Sequence, residues 1–293
     1  MTRRGLLLGS VAALAADGAQ PRRRALLIGN SVYRHAASLK NPRNDVAALE
    51  TWLSGQSFTV TTALDLDKES METAFDRFAD SISAGEAVFI LYGGHGFSEN
   101  GRNFLAPTDL HPCSPIEAAF DSARLWTDPR MQQGATVVFL DACRNSLPDG
   151  VCASSRAFGV TRDLQFVAAG GPPATYIAFA AGPGQLSYDN PTGDNSLFMK
   201  HVLEGLEAQP YAEIDELIRR VRRGVLEESN GIQSPWTSST LVDPFHLGAY
   251  ARAFSSESDA PPVRLVSKRP VRRAESRSIG PAQPYAVINV PRP

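Results

Sequence analysis

Apolar runs of strand length alternate along this chain with segments that carry apolar residues at helical spacing. Runs such as "AVFILYG" contain no polar alternation, which is typical of strands in a sheet that is covered on both faces. Strands that alternate with helices favour a parallel α/β sheet with helices on both sides. We predict strands over 24–31, 57–64, 86–93, 135–141, 174–184 and 238–247. We predict helices over 44–53, 67–82, 117–132, 195–206 and 213–228.

Composition supports a globular domain and gives little support for a nucleic-acid partner. Apolar residues make up 43% of the 293 residues, which is enough to bury a sizeable core. The net charge is −2, so the chain has no excess of basic residues that would favour nucleic acid. We therefore predict one large domain over residues 20–250 and expect no nucleic-acid partner.

Both ends of the chain differ in character from this central part. Arg3 and Arg4 precede an apolar run over 6–16 and small residues, which is the layout of a secretory signal. The run is too short to span a bilayer, and the paired arginines resemble the twin-arginine export signal of bacteria. We expect residues 1–19 to be a signal peptide, export to the periplasm or the cell exterior, and no transmembrane segment. Residues 251–293 are basic and rich in proline, which predicts a disordered tail.

The chain contains three cysteines, and two of them can pair in an oxidising compartment. Cys113 and Cys152 both stand in loop-like sequence rich in proline, glycine and serine, whereas Cys143 directly follows a predicted strand. We therefore predict a disulfide between Cys113 and Cys152 and a free thiol at Cys143.

Two predicted strands end in residues that could carry chemistry. His95 follows the strand in "LYGGHG", and Cys143 follows the strand in "FLDACRN". Active sites of parallel α/β sheets lie outside the carboxyl ends of the strands. If these two strands are neighbours, the imidazole and the thiol emerge about 5 Å apart, which is one strand spacing. That arrangement suits a cysteine nucleophile, because a nearby imidazole favours the reactive thiolate.

These two motifs resemble the histidine and cysteine motifs of caspase-like peptidases, especially the bacterial and metacaspase-related branch of the caspase–haemoglobinase fold. A histidine about 50 residues before the cysteine is the caspase spacing. Other segments are similar too, and together they extend over residues 24–247: "ALLIGNSVY", "LKNPRNDVAAL", "GRNFLAPTD", "NSLFMKHVL" and "QSPWTSSTL".

The resemblance implies a three-layer α-β-α sandwich with a six-stranded, mainly parallel sheet. It also implies a cysteine endopeptidase that acts on proteins or peptides, with Cys143 as nucleophile and His95 as acid and base. The backbone N–H groups of Gly96 and Cys143 would form the oxyanion hole, and Gly93 and Gly94 would let a loop turn sharply. No cofactor is implied.

Asp141 stands two residues before the cysteine, where metacaspase-like relatives have an aspartate in the S1 pocket. The resemblance therefore implies cleavage after Arg or Lys. Two features depart from this pattern: Gly93 stands where Ser or Ala is usual, and no second acid is evident after the first strand. The pocket is therefore expected to be weakly charged, and Arg34 and Arg43 keep an acidic P1 preference open.

The remaining residues of interest concern metal binding and self-processing. Asp109 falls near a position where some metacaspases bind calcium, but no acids with calcium-loop spacing accompany it. No closely spaced Cys and His residues suggest zinc, so we expect no zinc site, and calcium dependence stays open as the lesser alternative. Arg156 and Arg162 lie in a long segment of small residues and are candidate sites of self-processing. An unprocessed single chain is the alternative.

Two other functions remain open. An inactive caspase-like module could serve in protein–protein interaction, although such modules usually lose the histidine or the cysteine. An unrelated flavodoxin-like binding protein would need a glycine-rich phosphate turn, and "GNSVYRH" lacks the G-x-G-x-x-G pattern.

Overall fold

The computed structural model describes residues 22–99, 102–111, 113–143, 174–182 and 192–248, together with residues 185, 187 and 190. The chain divides into two units, Met1–Tyr250 and Ala251–Pro293. The predicted signal peptide and the predicted tail both lie outside the described residues.

A six-stranded path in the order β2-β1-β3-β6-β7-β8 forms the main sheet. All neighbouring pairs on this path are parallel except the pair of β7 and β8. This confirms the predicted six-stranded, mainly parallel sheet. The strands are β1 (Arg23–Gly29), β2 (Phe58–Leu64), β3 (Ala87–Glu99), β4 (Arg102–Leu105), β5 (Phe120–Asp121), β6 (Thr136–Cys143), β7 (Thr175–Phe179) and β8 (Trp236–Ser239).

Helices cover both faces of the sheet and give the predicted three layers. The helices are α1 (Pro42–Ser54), α2 (Lys68–Asp80), α3 (Arg124–Thr127), α4 (Leu197–Ala208) and α5 (Ile214–Glu228). One core cluster joins one face of the sheet to α1, α4 and α5, and a second joins the other face to α2 and α3. Among the described residues, no helix combines the length and apolar character needed to cross a membrane.

Alternation along β3 fixes the register of the strand that carries His95. Phe89 and Leu91 point into the cluster with α1, whereas Val88 and Ile90 point into the cluster with α2, and all four are fully buried. Burial of each such side chain contributes about 1.5–3 kcal/mol. A slip by one residue would move every one of them to the wrong face, so the core holds His95 at a defined position.

The predicted helix over 117–132 is wrong, because this segment is broken into short pieces. Phe120 pairs with β4 as part of β5, and α3 is only one turn long. Pro129 disfavours helical backbone at Asp128, which is extended at φ −60° and ψ 129° and caps a short 3-10 turn instead.

The boundaries of β3, β6, β7 and β8 differ from the prediction, and the differences at β3 and β6 concern the site. β3 continues past Gly93 to Glu99, because its last residues pair antiparallel with β4. β6 likewise continues past Asp141 to Cys143, and β8 lies earlier in the chain than predicted. His95 therefore lies in an extended strand and not in a loop.

Candidate active site

The ladder between β3 and β6 brings the predicted histidine and cysteine together. These strands are parallel neighbours, and His95 is the Cα partner of Cys143 at the last described pair. Neighbouring strands lie about 4.8 Å apart, so both residues reach the same edge of the sheet at adjacent positions. The strand ends therefore meet as a Cys–His pair requires.

Two residues that follow β1 hold the imidazole of His95. Its Nε2 lies 2.7 Å from the carbonyl oxygen of Ala37, and because a carbonyl can only accept, Nε2 carries the hydrogen. In the neutral ring, Nδ1 is then the nitrogen that can accept a proton. The Tyr33 ring packs on the imidazole at 4.5 Å between centroids, and its hydroxyl accepts the backbone N–H of His95 at 2.8 Å.

Backbone geometry directs the N–H of Gly96 toward the β6 side of β3. The carbonyl of His95 accepts hydrogen bonds from the Ala106 N–H at 2.9 Å and from the Tyr92 hydroxyl at 2.8 Å. The Asn30 side chain, directly after β1, donates to the Ala106 carbonyl at 3.1 Å, so this segment lies on the β1 side of β3. The described chain contains no cis peptide, and the carbonyl and N–H of a trans peptide point in opposite directions. The N–H of Gly96 therefore points toward the end of β6, as an oxyanion donor there would.

The glycines before His95 permit close packing and do not make a turn, which corrects the prediction. Gly94 has φ +156°, and a Cβ there would lie 2.6 Å from the Tyr33 hydroxyl and 2.7 Å from the Tyr92 hydroxyl. A Cβ at Gly93 would lie 3.3 Å from the Cβ of Pro42 at the start of α1. The departure from Ser or Ala at position 93 thus has a structural reason, since Pro42 occupies the space beside it.

Asp141 is buried two residues before the last pair of β6, on the face covered by α1 and α4. The residue is only 8% exposed. Its carboxylate accepts a hydrogen bond from the Ser187 hydroxyl at 3.1 Å and another from the Ser196 hydroxyl. Ser196 is also the N-cap of α4, where its Oγ accepts the N–H of Met199 at 3.0 Å. The position of Asp141 is therefore fixed by β6 and by the beginning of α4.

A second buried acid, Asp45 of α1, lies beside Asp141 and was missed from the sequence. It is 1% exposed and accepts the Asn195 side-chain amide at 2.9 Å and the Ser196 N–H at 3.1 Å. Burial, and then the charge of Asp141, raise the pKa of Asp45 to about 8. A second acid therefore does accompany Asp141, although none was evident from the sequence, and the weak charge expected of the pocket stays a prediction.

A helix that begins at residue 44, as predicted, would place Asp45 at its N-terminal end, where an acidic residue is common. The helix begins earlier, with Asn41 at the N-cap and Pro42 in the first turn, so Asp45 already lies inside it. Its spacing from Leu49 places it on the buried stripe of α1. An acid on an apolar stripe is the signal that could have revealed it.

The arginines that kept an acidic P1 preference open make other contacts. Arg43 forms an ion pair with Asp65, and the backbone N–H of Arg34 donates to the Thr108 carbonyl at 2.8 Å. Arg43 thus pairs with Asp65, which is not one of the two buried acids.

The remaining predicted site residues lie partly outside the described ranges. Asp109 accepts the backbone N–H of Lys68 at 3.0 Å. Within the described ranges, no group of three or more His, Cys, Asp or Glu residues could hold a metal ion. Cys113 is disulfide-bonded, but its predicted partner Cys152 lies outside the described residues, as do Arg156 and Arg162. The identity of the pairing and the processing sites stay predictions.

Comparison with known families agrees with this geometry. The caspase domain family matches residues 22–246. The chain belongs to this family. Caspase-domain proteins are a family of cysteine peptidases, so the resemblance seen in the sequence motifs is confirmed.

Two curated relatives match part of this chain and a smaller part of their own length. The human mucosa-associated lymphoid tissue lymphoma translocation protein 1 is 34% identical over 121 residues, which is 41% of this chain and 15% of the human protein. The paracaspase of Dictyostelium discoideum is 26% identical over 125 residues, which is 41% of this chain and 30% of that protein. The matches therefore span less than a third of either relative.

A solved structure shows the same fold. The crystal structure of caspase-1 from Spodoptera frugiperda superimposes with a TM-score of 0.54 at 19% identity, covering 78% of this chain and 90% of that chain. At this identity the likeness concerns the fold, and it confirms the caspase-like architecture.

Proposed function

We propose that this protein is a cysteine endopeptidase in which Cys143 attacks the scissile carbonyl and His95 transfers the protons. The observation that carries the proposal is the pairing of His95 with Cys143 across neighbouring parallel strands. The Ala37 carbonyl supports it by fixing the tautomer of the imidazole, and the direction of the Gly96 N–H supports an oxyanion hole.

In the first half of the reaction, Nδ1 of His95 takes the proton of the Cys143 thiol, and the thiolate attacks the carbonyl carbon. The oxyanion that forms accepts hydrogen bonds from the N–H groups of Gly96 and Cys143. One such donor is worth about 2.7–4 kcal/mol in the transition state. As the C–N bond breaks, His95 returns its proton to the leaving amine, and the acyl part remains as a thioester on Cys143.

In the second half, His95 takes a proton from a water molecule whose oxygen attacks the thioester carbon. The C–S bond then breaks, the proton returns to the sulfur, and the product leaves as a carboxylic acid. Nucleophile, base and oxyanion donors all come from this chain, so the proposed chemistry has no step that requires a metal.

The buried acids favour Arg or Lys at P1, the residue whose carbonyl is attacked. Two carboxylates so close together repel each other, and this repulsion contributes to the raised pKa of Asp45. A guanidinium or ammonium group between Asp45 and Asp141 would relieve the repulsion, and an arginine can bond a carboxylate through two N–H groups. An acidic P1 side chain would bring a further carboxylate beside Asp45 and Asp141 and would find no cationic partner in either of them.

A peptide series that varies only P1 tests this proposal. Peptides with Arg, Lys, Gln or Asp at P1 are incubated with the wild-type protein and with Cys143→Ala as the blank. We expect cleavage after Arg and Lys by the wild type only. Turnover of the Asp peptide alone would refute the basic pocket, and a folded protein that cleaves none would favour the interaction module.

Export and self-processing complete the proposal. A disulfide at Cys113 agrees with an oxidising compartment such as the periplasm. Cleavage after Arg156 or Arg162 would follow from an Arg preference. Fragments of the wild-type protein that are absent from Cys143→Ala would support it, and their presence in both proteins would exclude self-processing.

A further inference from the structure

Two tyrosine hydroxyls bond the backbone of β3 just beyond the point where its neighbour β1 ends. The ladder between these strands stops at Gly93, whose carbonyl accepts the N–H of Asn30 at 2.8 Å. One pair further on, the His95 N–H donates to the Tyr33 hydroxyl at 2.8 Å, and the Tyr92 hydroxyl donates to the His95 carbonyl at 2.8 Å. The two phenols thus satisfy backbone groups that have lost their strand partner.

These phenols form a closed chain of hydrogen bonds around His95, which we call the tyrosine relay. Each phenol has one hydrogen to donate. The Ala106 carbonyl, 3.1 Å from the Tyr92 hydroxyl, already accepts the Asn30 amide, so the hydrogen of Tyr92 is available to the His95 carbonyl. The two hydroxyls also bond each other, and Tyr33 is therefore the donor in that bond. The relay runs from the His95 N–H through Tyr33 and Tyr92 back to the His95 carbonyl.

The relay is buried, and its hydroxyls contribute through hydrogen bonds rather than through packing. Tyr33 is 8% exposed and Tyr92 is fully buried. A Cβ at Gly94 would lie within 2.7 Å of both hydroxyls, so the glycine leaves room for them. Burial raises the pKa of Tyr92 well above its ordinary value of 10, so this phenol keeps its hydrogen at neutral pH. A phenylalanine would fill the same place in the core cluster of α2 without a polar group to satisfy.

The carbonyl that Tyr92 bonds belongs to the same peptide group as the N–H of Gly96. It accepts two hydrogen bonds, one from Tyr92 and one from the Ala106 N–H at 2.9 Å. Two donors at one oxygen restrict the rotation of the planar peptide and so fix the direction of its N–H. They also polarise the peptide group, because hydrogen bonds in a chain strengthen one another. Both effects favour the Gly96 N–H as a donor to an oxyanion.

We propose that Tyr92 is a positioning residue for the oxyanion hole, which it serves by orienting and polarising the peptide group that carries the Gly96 N–H. The inference rests on the proposed peptidase function and adds to it a residue that does not touch the substrate. Loss of a direct oxyanion donor lowers kcat by about 10²–10³-fold. Since the Ala106 N–H still bonds the same carbonyl, Tyr92→Phe should lower kcat less, by about tenfold.

The test compares Tyr92→Phe with the wild type in two reactions of the same thiol. Cleavage of an Arg peptide forms an oxyanion, whereas alkylation by iodoacetamide, in which the sulfur of Cys143 displaces iodide, requires the thiolate and no oxyanion hole. We expect kcat to fall about tenfold at unchanged KM. The alkylation rate of Cys143, followed by mass spectrometry, should keep its wild-type value. A merely structural role of Tyr92 would change both reactions.

Tyr176→Phe is the matched control, because Tyr176 is another fully buried tyrosine, with its hydroxyl 2.9 Å from Asp215. It pairs with Val137 near the start of β6, whereas Cys143 ends that strand. We expect wild-type kcat, KM and alkylation rate in this variant.

A second replacement keeps the hydroxyl. Tyr92→3-fluorotyrosine makes the phenol more acidic and a stronger donor, so kcat should exceed the wild-type value at unchanged KM. Should Tyr92→Phe fail to fold, this variant decides the matter, and a kcat at or below the wild-type value would then overturn the role of Tyr92.

The possible results separate this inference from the proposed function. A wild-type kcat in Tyr92→Phe would overturn the role of Tyr92 and leave the peptidase intact. Equal losses of cleavage and alkylation, or a raised KM at unchanged kcat, would also overturn it, by assigning the effect to the dyad or to the P1 site. A wild-type protein that cleaves no peptide after Arg or Lys would contradict the peptidase proposed here, and the role of Tyr92 with it.

Discussion

The proposed dyad and the acid pair lie side by side, but the chain assembles them in different ways. His95 and Cys143 are set by one ladder of backbone hydrogen bonds between two neighbouring strands. Asp45 and Asp141 come from a helix and a strand, and the start of α4 joins them through Ser196. The dyad therefore depends on sheet register, whereas the acid pair depends on side-chain contacts and on charge. Changes at the first should affect the chemical step, and changes at the second should affect substrate choice.

Among substitutions that keep Cys143, removal of the imidazole should have the largest effect. His95→Ala deletes both the base and the acid of the proposed reaction, so kcat on an Arg peptide should fall by a factor on the order of 10³ or more. The matched control is His111→Ala, which removes an exposed histidine. Steady-state kinetics check both variants, and comparable activity in His95→Ala would remove this residue from the mechanism.

Neutralisation of the acid pair should change binding rather than chemistry. Asp141→Asn should raise KM for an Arg peptide by about 10²-fold, since loss of one partner of a buried charge pair costs 2–5 kcal/mol. Asp45→Asn should raise KM less, because Asp45 is protonated near neutral pH in the free protein. Asp194→Asn, at an exposed acid close in sequence to Ser196, is the control. If KM stayed constant while kcat collapsed, the acids would act on the dyad and not on P1.

A smaller effect on kcat is expected at Tyr33, which contacts both the imidazole and the backbone N–H of His95. Tyr33→Phe keeps the ring on the imidazole but leaves the backbone N–H of His95 without its acceptor, which costs about 1 kcal/mol. We expect kcat to fall about fivefold at unchanged KM, and Tyr33→Leu to lower kcat further. An equal change of KM and kcat in both variants would indicate a general distortion of the site.

The raised pKa of Asp45 should also make the free energy of unfolding depend on pH. The folded protein holds a proton on Asp45 up to a pH of about 8, whereas the unfolded chain releases it near the ordinary value of 3.8. The contribution of Asp45 to the free energy of unfolding therefore decreases as pH rises between these values, by at most about 1.4 kcal/mol per pH unit.

Asp45→Asn removes this dependence, so the variant should gain stability over the wild type as pH rises from 5 to 8. Urea unfolding of both proteins at several pH values measures the difference. A difference that is independent of pH would show that Asp45 is ionised in the folded protein throughout this range.

The contrast between the two regions also explains what the sequence could predict. The strands and their order along the chain follow from apolar runs, and residues at the ends of parallel strands necessarily reach one edge. For that reason His95 and Cys143 could be placed together before any coordinates. Asp45 could not, because its contact with Asp141 depends on where α1 begins and on how α4 packs beside it.

Local signals were misleading where tertiary packing decides the conformation. Three glycines around a histidine predicted a turn, yet Gly94 serves to admit the hydroxyls of Tyr33 and Tyr92 into an extended strand.

The most direct test of the dyad is to locate the nucleophile chemically. A short peptide that ends in an arginyl chloromethyl ketone is incubated with the full chain, and the modified residue is mapped by mass spectrometry. The proposed mechanism predicts one adduct, on Cys143, that forms rapidly in the wild type, far more slowly in His95→Ala and not at all in Cys143→Ala. Rapid labelling that does not depend on His95, or an adduct on another residue, would contradict it.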